Sequence, residues 1–178
     1  MRSALGVLVI AFGGVALADE KEVIVAVEPA FALMHVNSST AWGGGAGLDL
    51  SYGVTDAVAI RATGAFTGHS LEATTGGPAG TLLAWHAGLG LTYTIDIVRV
   101  VPYIDFAVGV MGTERPAPAG ATVTNNQLGV EIGVGVDYLI SRRWAVGVVV
   151  RYHAFLTALS DIPVYFYAGP RIAMHFGG

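Results

Sequence analysis

Nine ionisable side chains share an unusual setting in this sequence: Glu28, Asp49, Arg61, His86, Asp105, Glu131, Asp137, Arg151 and Arg171 stand among small residues, on the side of each segment opposite its bulky apolar residues. Isolated charges in an enclosed space are costly unless paired. Gathered in one interior, these groups would form an ion-pair network. The acids outnumber the arginines, so water or His86 would share the surplus. Such a network has two uses: it lines or gates a polar path, or it plugs and rigidifies a lumen. Other chemistry has weaker support. His35, Ser38, His69, Ser70 and His153 are the positions from which a nucleophile and base could act at a rim, but they form no catalytic signature. The five histidines lack metal-ligand spacing. The run Gly43 to Gly47 lacks the Gly-Lys-Ser/Thr of a phosphate loop and opens a strand rather than a helix. The expectation is therefore a protein without cofactor or metal, and not an enzyme.

Strands must position these charges, because the hydropathy period is two. Leu128, Val130, Ile132, Val134, Val136 and Tyr138 alternate with Gly129, Glu131, Gly133, Gly135 and Asp137. A helix would scatter these sets, whereas a strand puts them on opposite faces. Leu83 to Ile95, Trp144 to Tyr152 and Val164 to Phe176 alternate in the same way. Val23 to Val36, Gly43 to Tyr52, Ala57 to Gly68 and Val100 to Gly112 complete eight strands, with Pro29, Pro102 and Pro170 expected at bulges or rims because each lacks a ladder donor. Tight connections at Gly53 to Asp56, Asp96 to Arg99 and Ser141 to Arg143 alternate with looser ones at Asn37 to Ala41, His69 to Gly80, Thr113 to Asn126 and Ala154 to Pro163. In an up-and-down order all the tight turns fall at one end.

A short repeat marks that end. Gly47 to Tyr52, Gly88 to Tyr93 and Gly133 to Tyr138 share the pattern Gly-[Leu/Val]-x-[Leu/Val]-x-Tyr, each just before a tight turn. Tyr52, Tyr93 and Tyr138, with Trp144 after its turn, are placed where a membrane-interface girdle belongs.

Composition decides which face is outside. The chain has 178 residues, 53% apolar and only 12% charged, with 25 Gly and no Cys. Disorder is excluded, since it needs low hydrophobicity and high charge. So are a disulfide scaffold and Cys-ligated metal. Nine Lys and Arg against thirteen acids leave no basic footprint for nucleic acid, and no Lys/Arg cluster grips lipid phosphates. A soluble barrel would need a charged exterior, and the polar face here is mostly Gly, Ala, Ser and Thr. The bulky face would overfill an eight-stranded interior. Turned outward, it meets lipid, and lipid demands a closed barrel with no free edge. Arg2, the apolar run Leu5 to Val15 and Ala16-Leu17-Ala18 have the form of a cleaved secretory signal at 1–18, with the barrel domain at 19–178. No later segment is apolar and uncharged for long enough to be a spanning helix.

Tyr52-Gly-Val-Thr-Asp56, the Pro102-Tyr103 strand opening that runs to Gly109-x-x-Gly112, and Gly133 to Tyr152 around Arg143-Trp144 resemble the small bacterial outer-membrane barrels of the OmpA/OmpX/OmpW-like group. The resemblance implies an all-β, eight-stranded, antiparallel up-and-down transmembrane β-barrel in the outer membrane. It implies a monomer that meets outer-membrane lipids and is inserted by the barrel-assembly machinery. Gly169, Ile172, Met174 and Phe176 are similar to the family's C-terminal assembly signal, although Ile172 and Met174 replace common aromatics and Gly177-Gly178 follow. The expected role is a non-enzymatic envelope protein with a largely plugged polar lumen. The alternatives are a narrow channel for small solutes and, more remotely, an outer-leaflet lipid-modifying enzyme.

Overall fold

The computed structural model describes residues 21–36, 39–71, 79–95, 97, 99–116, 121–156 and 165–177. The expected signal at 1–18 and Ser38 lie outside them. Eight antiparallel strands, β1 (Val23–Val36), β2 (Ser39–Gly53), β3 (Val58–Leu71), β4 (Gly80–Thr94), β5 (Val100–Pro116), β6 (Thr122–Leu139), β7 (Trp144–Phe155) and β8 (Tyr165–Phe176), pair in chain order. β8 returns to pair with β1, and the barrel is closed. Each of these eight strands is paired on both sides, as hydrocarbon surroundings require.

The strands extend further toward the loose-loop end than their hydropathy suggests. The expected loop Thr113 to Asn126 is largely ladder, since Arg115 pairs with Val123 and Pro116 with Thr122. Thr122, Val123 and Thr124 are β-branched and suit a strand whether or not their period is apolar.

Two of the three prolines differ from the expectation of bulges or rims. Pro102 does lie near the rim, where its carbonyl accepts from the Ile95 N–H. Pro29 and Pro170 lie within the wall. On the β1–β8 seam the ladder runs Val27 with Ile172, pauses, and resumes at Phe31 with Ala168. The register is unchanged across the gap, which puts Pro29 opposite Pro170. Two residues without N–H groups thus share one interruption, instead of each breaking the ladder elsewhere.

The outer surface is apolar along the whole wall. Leu48, Ile60, Leu89, Ile104, Ile132, Val148 and Ile172 are all exposed, Leu89 by 68%. Tyr52, Tyr93, Tyr138 and Trp144 are exposed at the tight-turn end. A second set, including Phe31, Trp42 and Phe66, is exposed nearer the other end, with Phe31 and Trp42 packed at a ring separation of 5.1 Å. Trp42 and Tyr52 on β2 are roughly ten residues apart, about 25 Å of height at ordinary strand rise and tilt. That matches the apolar band of about 25 Å of outer-membrane barrels.

Candidate functional site

The barrel interior has three tiers. The middle tier holds the charges. Arg61 on β3 donates from Nε to Asp49 on β2 and from Nη1 to Glu131 Oε1 on β6 at 2.6 Å. Arg151 on β7 reaches Glu28 on β1 with both terminal nitrogens, Nη2 to Oε1 at 2.9 Å, and lies 3.2 Å from Asp105 and 3.3 Å from Asp49. Its Nε is 3.2 Å from Glu131 Oε1. Arg171 on β8 donates from Nε to Glu28 at 3.1 Å and from Nη1 to Asp137. His86 Nε2 lies 3.3 Å from Glu131 Oε2. All nine residues singled out in the sequence therefore point inward, are buried and form one connected cluster. Neutral groups complete its shell. Ser51 donates to Asp49 at 3.0 Å, Thr92 to Asp105 at 2.8 Å, and the Tyr167 hydroxyl to the Glu28 carbonyl at 2.6 Å.

The tier toward the loose loops is mostly apolar. Met34, Leu82, Met111, Phe155, Tyr165 and neighbouring alanines form a buried cluster inside the barrel. His69 and Thr67 join it, with Thr67 Oγ1 3.1 Å from the Tyr165 hydroxyl and 3.0 Å from His69 Nε2. At the tight-turn end the lumen opens into a cavity of about 50 Å³, lined by Glu22, Ser51, Thr94, Tyr103, Asp137, Arg171 and His175 among others. Its floor is the charged tier.

The space beside most of the inward glycines is already occupied. A Cβ on Gly45, Gly90, Gly109 or Gly169 would lie within 2.1 Å of a backbone carbonyl oxygen of the neighbouring strand. These positions let the wall close tightly. At Gly47, Gly129, Gly133 and Gly135 the space is taken by Tyr167, Met111, Arg151 and Tyr103.

Two residues read from the sequence as rim groups are lumen groups. His153 is buried, with Nε2 2.9 Å from Glu131 Oε2, and His69 is buried against Ala41 and Thr67. The signal was available: His153 has the parity of Arg151, and His69 that of Arg61. Ser70 is exposed on the opposite face from His69, and His35 contacts Thr40 at 3.3 Å. No nucleophile–base pair of the rim candidates forms among the described residues. In the C-terminal strand, Ile172 and Phe176 face outward, while Gly169 faces the lumen against Pro29.

Solved structures share this architecture at low identity. The attachment invasion locus protein Ail of Yersinia pestis is 14% identical, with a TM-score of 0.65 over 89% of this chain and 100% of that one. Neisserial surface protein A is 15% identical, with a TM-score of 0.68 over 86% and 97%. The outer membrane protein OprG of Pseudomonas aeruginosa is 12% identical, with a TM-score of 0.58 over 93% and 99%. No curated protein matches the chain. The family model described as outer membrane protein beta-barrel domain matches residues 4–164, and with a closed eight-stranded wall, an apolar exterior and a charged interior the chain belongs to that family of the bacterial outer membrane.

Proposed function

We propose that this protein is a non-enzymatic envelope barrel, exported with a cleaved signal at 1–18, whose lumen is closed and does not conduct solutes. The observation that carries this reading is the stacking of two obstructions. The Arg61–Arg151–Arg171 network spans the middle of the lumen, and the Met34–Leu82–Phe155–Tyr165 cluster fills it toward the loops. A path from the cavity at the tight-turn end would have to cross both. The interior then serves stability, and the surfaces left for other work are the lipid belt and the loops. A closed lumen needs no partner subunit to complete it, which supports a monomer in contact with outer-membrane lipids. The barrel-assembly machinery would engage the strand ending at Phe176. Burial of His69 and His153 inside the lumen, away from the rim where a lipid substrate would be met, favours a structural role over lipid modification.

The test is solute entry into vesicles. Folded protein in proteoliposomes should give swelling in a small sugar no faster than protein-free vesicles. Faster swelling with folded protein would replace this reading with the narrow-channel one. Altered lipid A or phospholipid mass on expression in a host membrane would replace it with the enzyme.

A further inference from the structure

We propose that His86, Glu131 and His153 form a binding site for one divalent transition-metal ion, with zinc as the best-fitting ion. The three residues come from β4, β6 and β7, and one ligand atom from each lies within 4.8 Å of the others. His86 Nε2 and His153 Nε2 both approach the same oxygen, Glu131 Oε2, at 3.3 and 2.9 Å. Ligand atoms about 2.0–2.1 Å from a tetrahedral zinc are about 3.3 Å apart. Small side-chain shifts would therefore seat an ion between them. Two imidazoles and one carboxylate are a donor set for zinc and its first-row neighbours rather than for calcium or magnesium.

Three further observations point to a cation here. First, His86 is only 5% exposed, yet its Nδ1 has no hydrogen-bond partner, and its Nε2, although 3.3 Å from Glu131 Oε2, is not aligned for a hydrogen bond to it. A buried imidazole without a partner calls for an explanation. Second, the charge of the cluster is short by two. Five carboxylates, those of Glu28, Asp49, Asp105, Glu131 and Asp137, face the guanidiniums of Arg61, Arg151 and Arg171. Protonating both histidines would balance the count but put two like charges on rings 4.4 Å apart. One dication between the rings balances it without that repulsion. Third, the carboxylate is pre-oriented. Glu131 Oε1 accepts from Arg61 Nη1 at 2.6 Å and lies 3.2 Å from Arg151 Nε, which leaves Oε2 to the imidazoles. Metal-ligating carboxylates are commonly held in this way by outer groups.

Because the site is enclosed, the ion would enter as the strands close, and its binding energy would add to folding. The experiment refolds the tag-free full chain with Co²⁺ or Zn²⁺, washes it with chelator and measures retained metal. Wild type should keep about one equivalent, with the visible absorption of four-coordinate Co²⁺. His86→Gln and His153→Gln should each weaken retention at least tenfold, whereas His35→Gln at the exposed rim should not. Folded wild type that retains no metal overturns the proposal, as does equal retention by the lumen variants. If the lumen variants fail to fold, X-ray absorption of the wild-type zinc form decides. A shell with imidazole scattering supports the site, and one without it overturns it.

Discussion

Arg151 of β7 grips Glu28 of β1 with both terminal nitrogens, across the intervening strand β8, while the same guanidinium lies within 3.3 Å of Asp49 and Asp105. One side chain thus ties together carboxylates from β1, β2 and β5, and its Nε adds Glu131 of β6. Buried ion pairs are weak evidence for stability in themselves, because desolvation offsets the attraction. Removing one partner is a different matter, since without Arg151 the buried carboxylates of Glu28, Asp49, Asp105, Glu131 and Asp137 would be left to the two guanidiniums of Arg61 and Arg171.

Arg151→Ala should therefore destabilise the folded barrel by about 3–5 kcal/mol, the range for breaking a buried pair. Urea titration of the protein in lipid vesicles measures it. Arg151→Lys should recover only part of the loss, because an ammonium cannot copy the two-pronged contact with Glu28. A loss under about 1 kcal/mol would show that water replaces the guanidinium freely. The variant should remain non-conducting, because the Met34, Leu82 and Phe155 cluster is untouched.

Gly90 and Gly44 make a matched pair. A Cβ on Gly90 would stand 1.8 Å from the Phe106 carbonyl oxygen, whereas one on outward-facing Gly44 would meet only the Ala30 carbonyl oxygen at 3.4 Å. Gly90→Ala should cost about 1–3 kcal/mol as the β4 and β5 backbones shift apart. Gly44→Ala should fold as wild type. Equal behaviour in the same vesicle titration would show that the wall is looser than its backbone contacts imply.

Leu89 tests which face meets lipid. It is 68% exposed and lies near mid-height on β4. Leu89→Arg should lower stability in bilayers by about 2–4 kcal/mol, the cost of Arg near the midplane of a membrane barrel. Unchanged stability, or a protein soluble without detergent, would reverse the inside and outside.

Much of this was legible in the sequence because a strand's period of two assigns every residue to a face. The alternation around Glu131 and Asp137 placed both carboxylates in the lumen, and the repeat ending at Tyr52, Tyr93 and Tyr138 marked the tight-turn end. Parity failed where it was not followed far enough. His153 is two residues past Arg151 and faces the same way, but a strand read as ending at Tyr152 leaves it at the rim. The apolar tier was hidden for another reason. Met34, Leu82, Met111 and Phe155 sit on the inward parity, and an apolar residue on either face of a membrane strand looks alike in hydropathy. The pairing of His86 with His153 is not a matter of spacing at all. It depends on β4, β6 and β7 bringing their side chains to one point inside a closed wall, which only register and barrel geometry fix.

A closed lumen passes no ions, which single-channel recording reads without any assumption about the solute. Purified protein, first shown to be folded by heat-modifiable migration on a gel, is inserted into a planar bilayer and held under voltage in concentrated salt. The expected trace is a baseline without discrete current steps. Reproducible steps from folded wild-type protein, with an ion selectivity that changes in Arg61→Ala or Arg151→Ala, would contradict it and make the charged tier the lining of a pore.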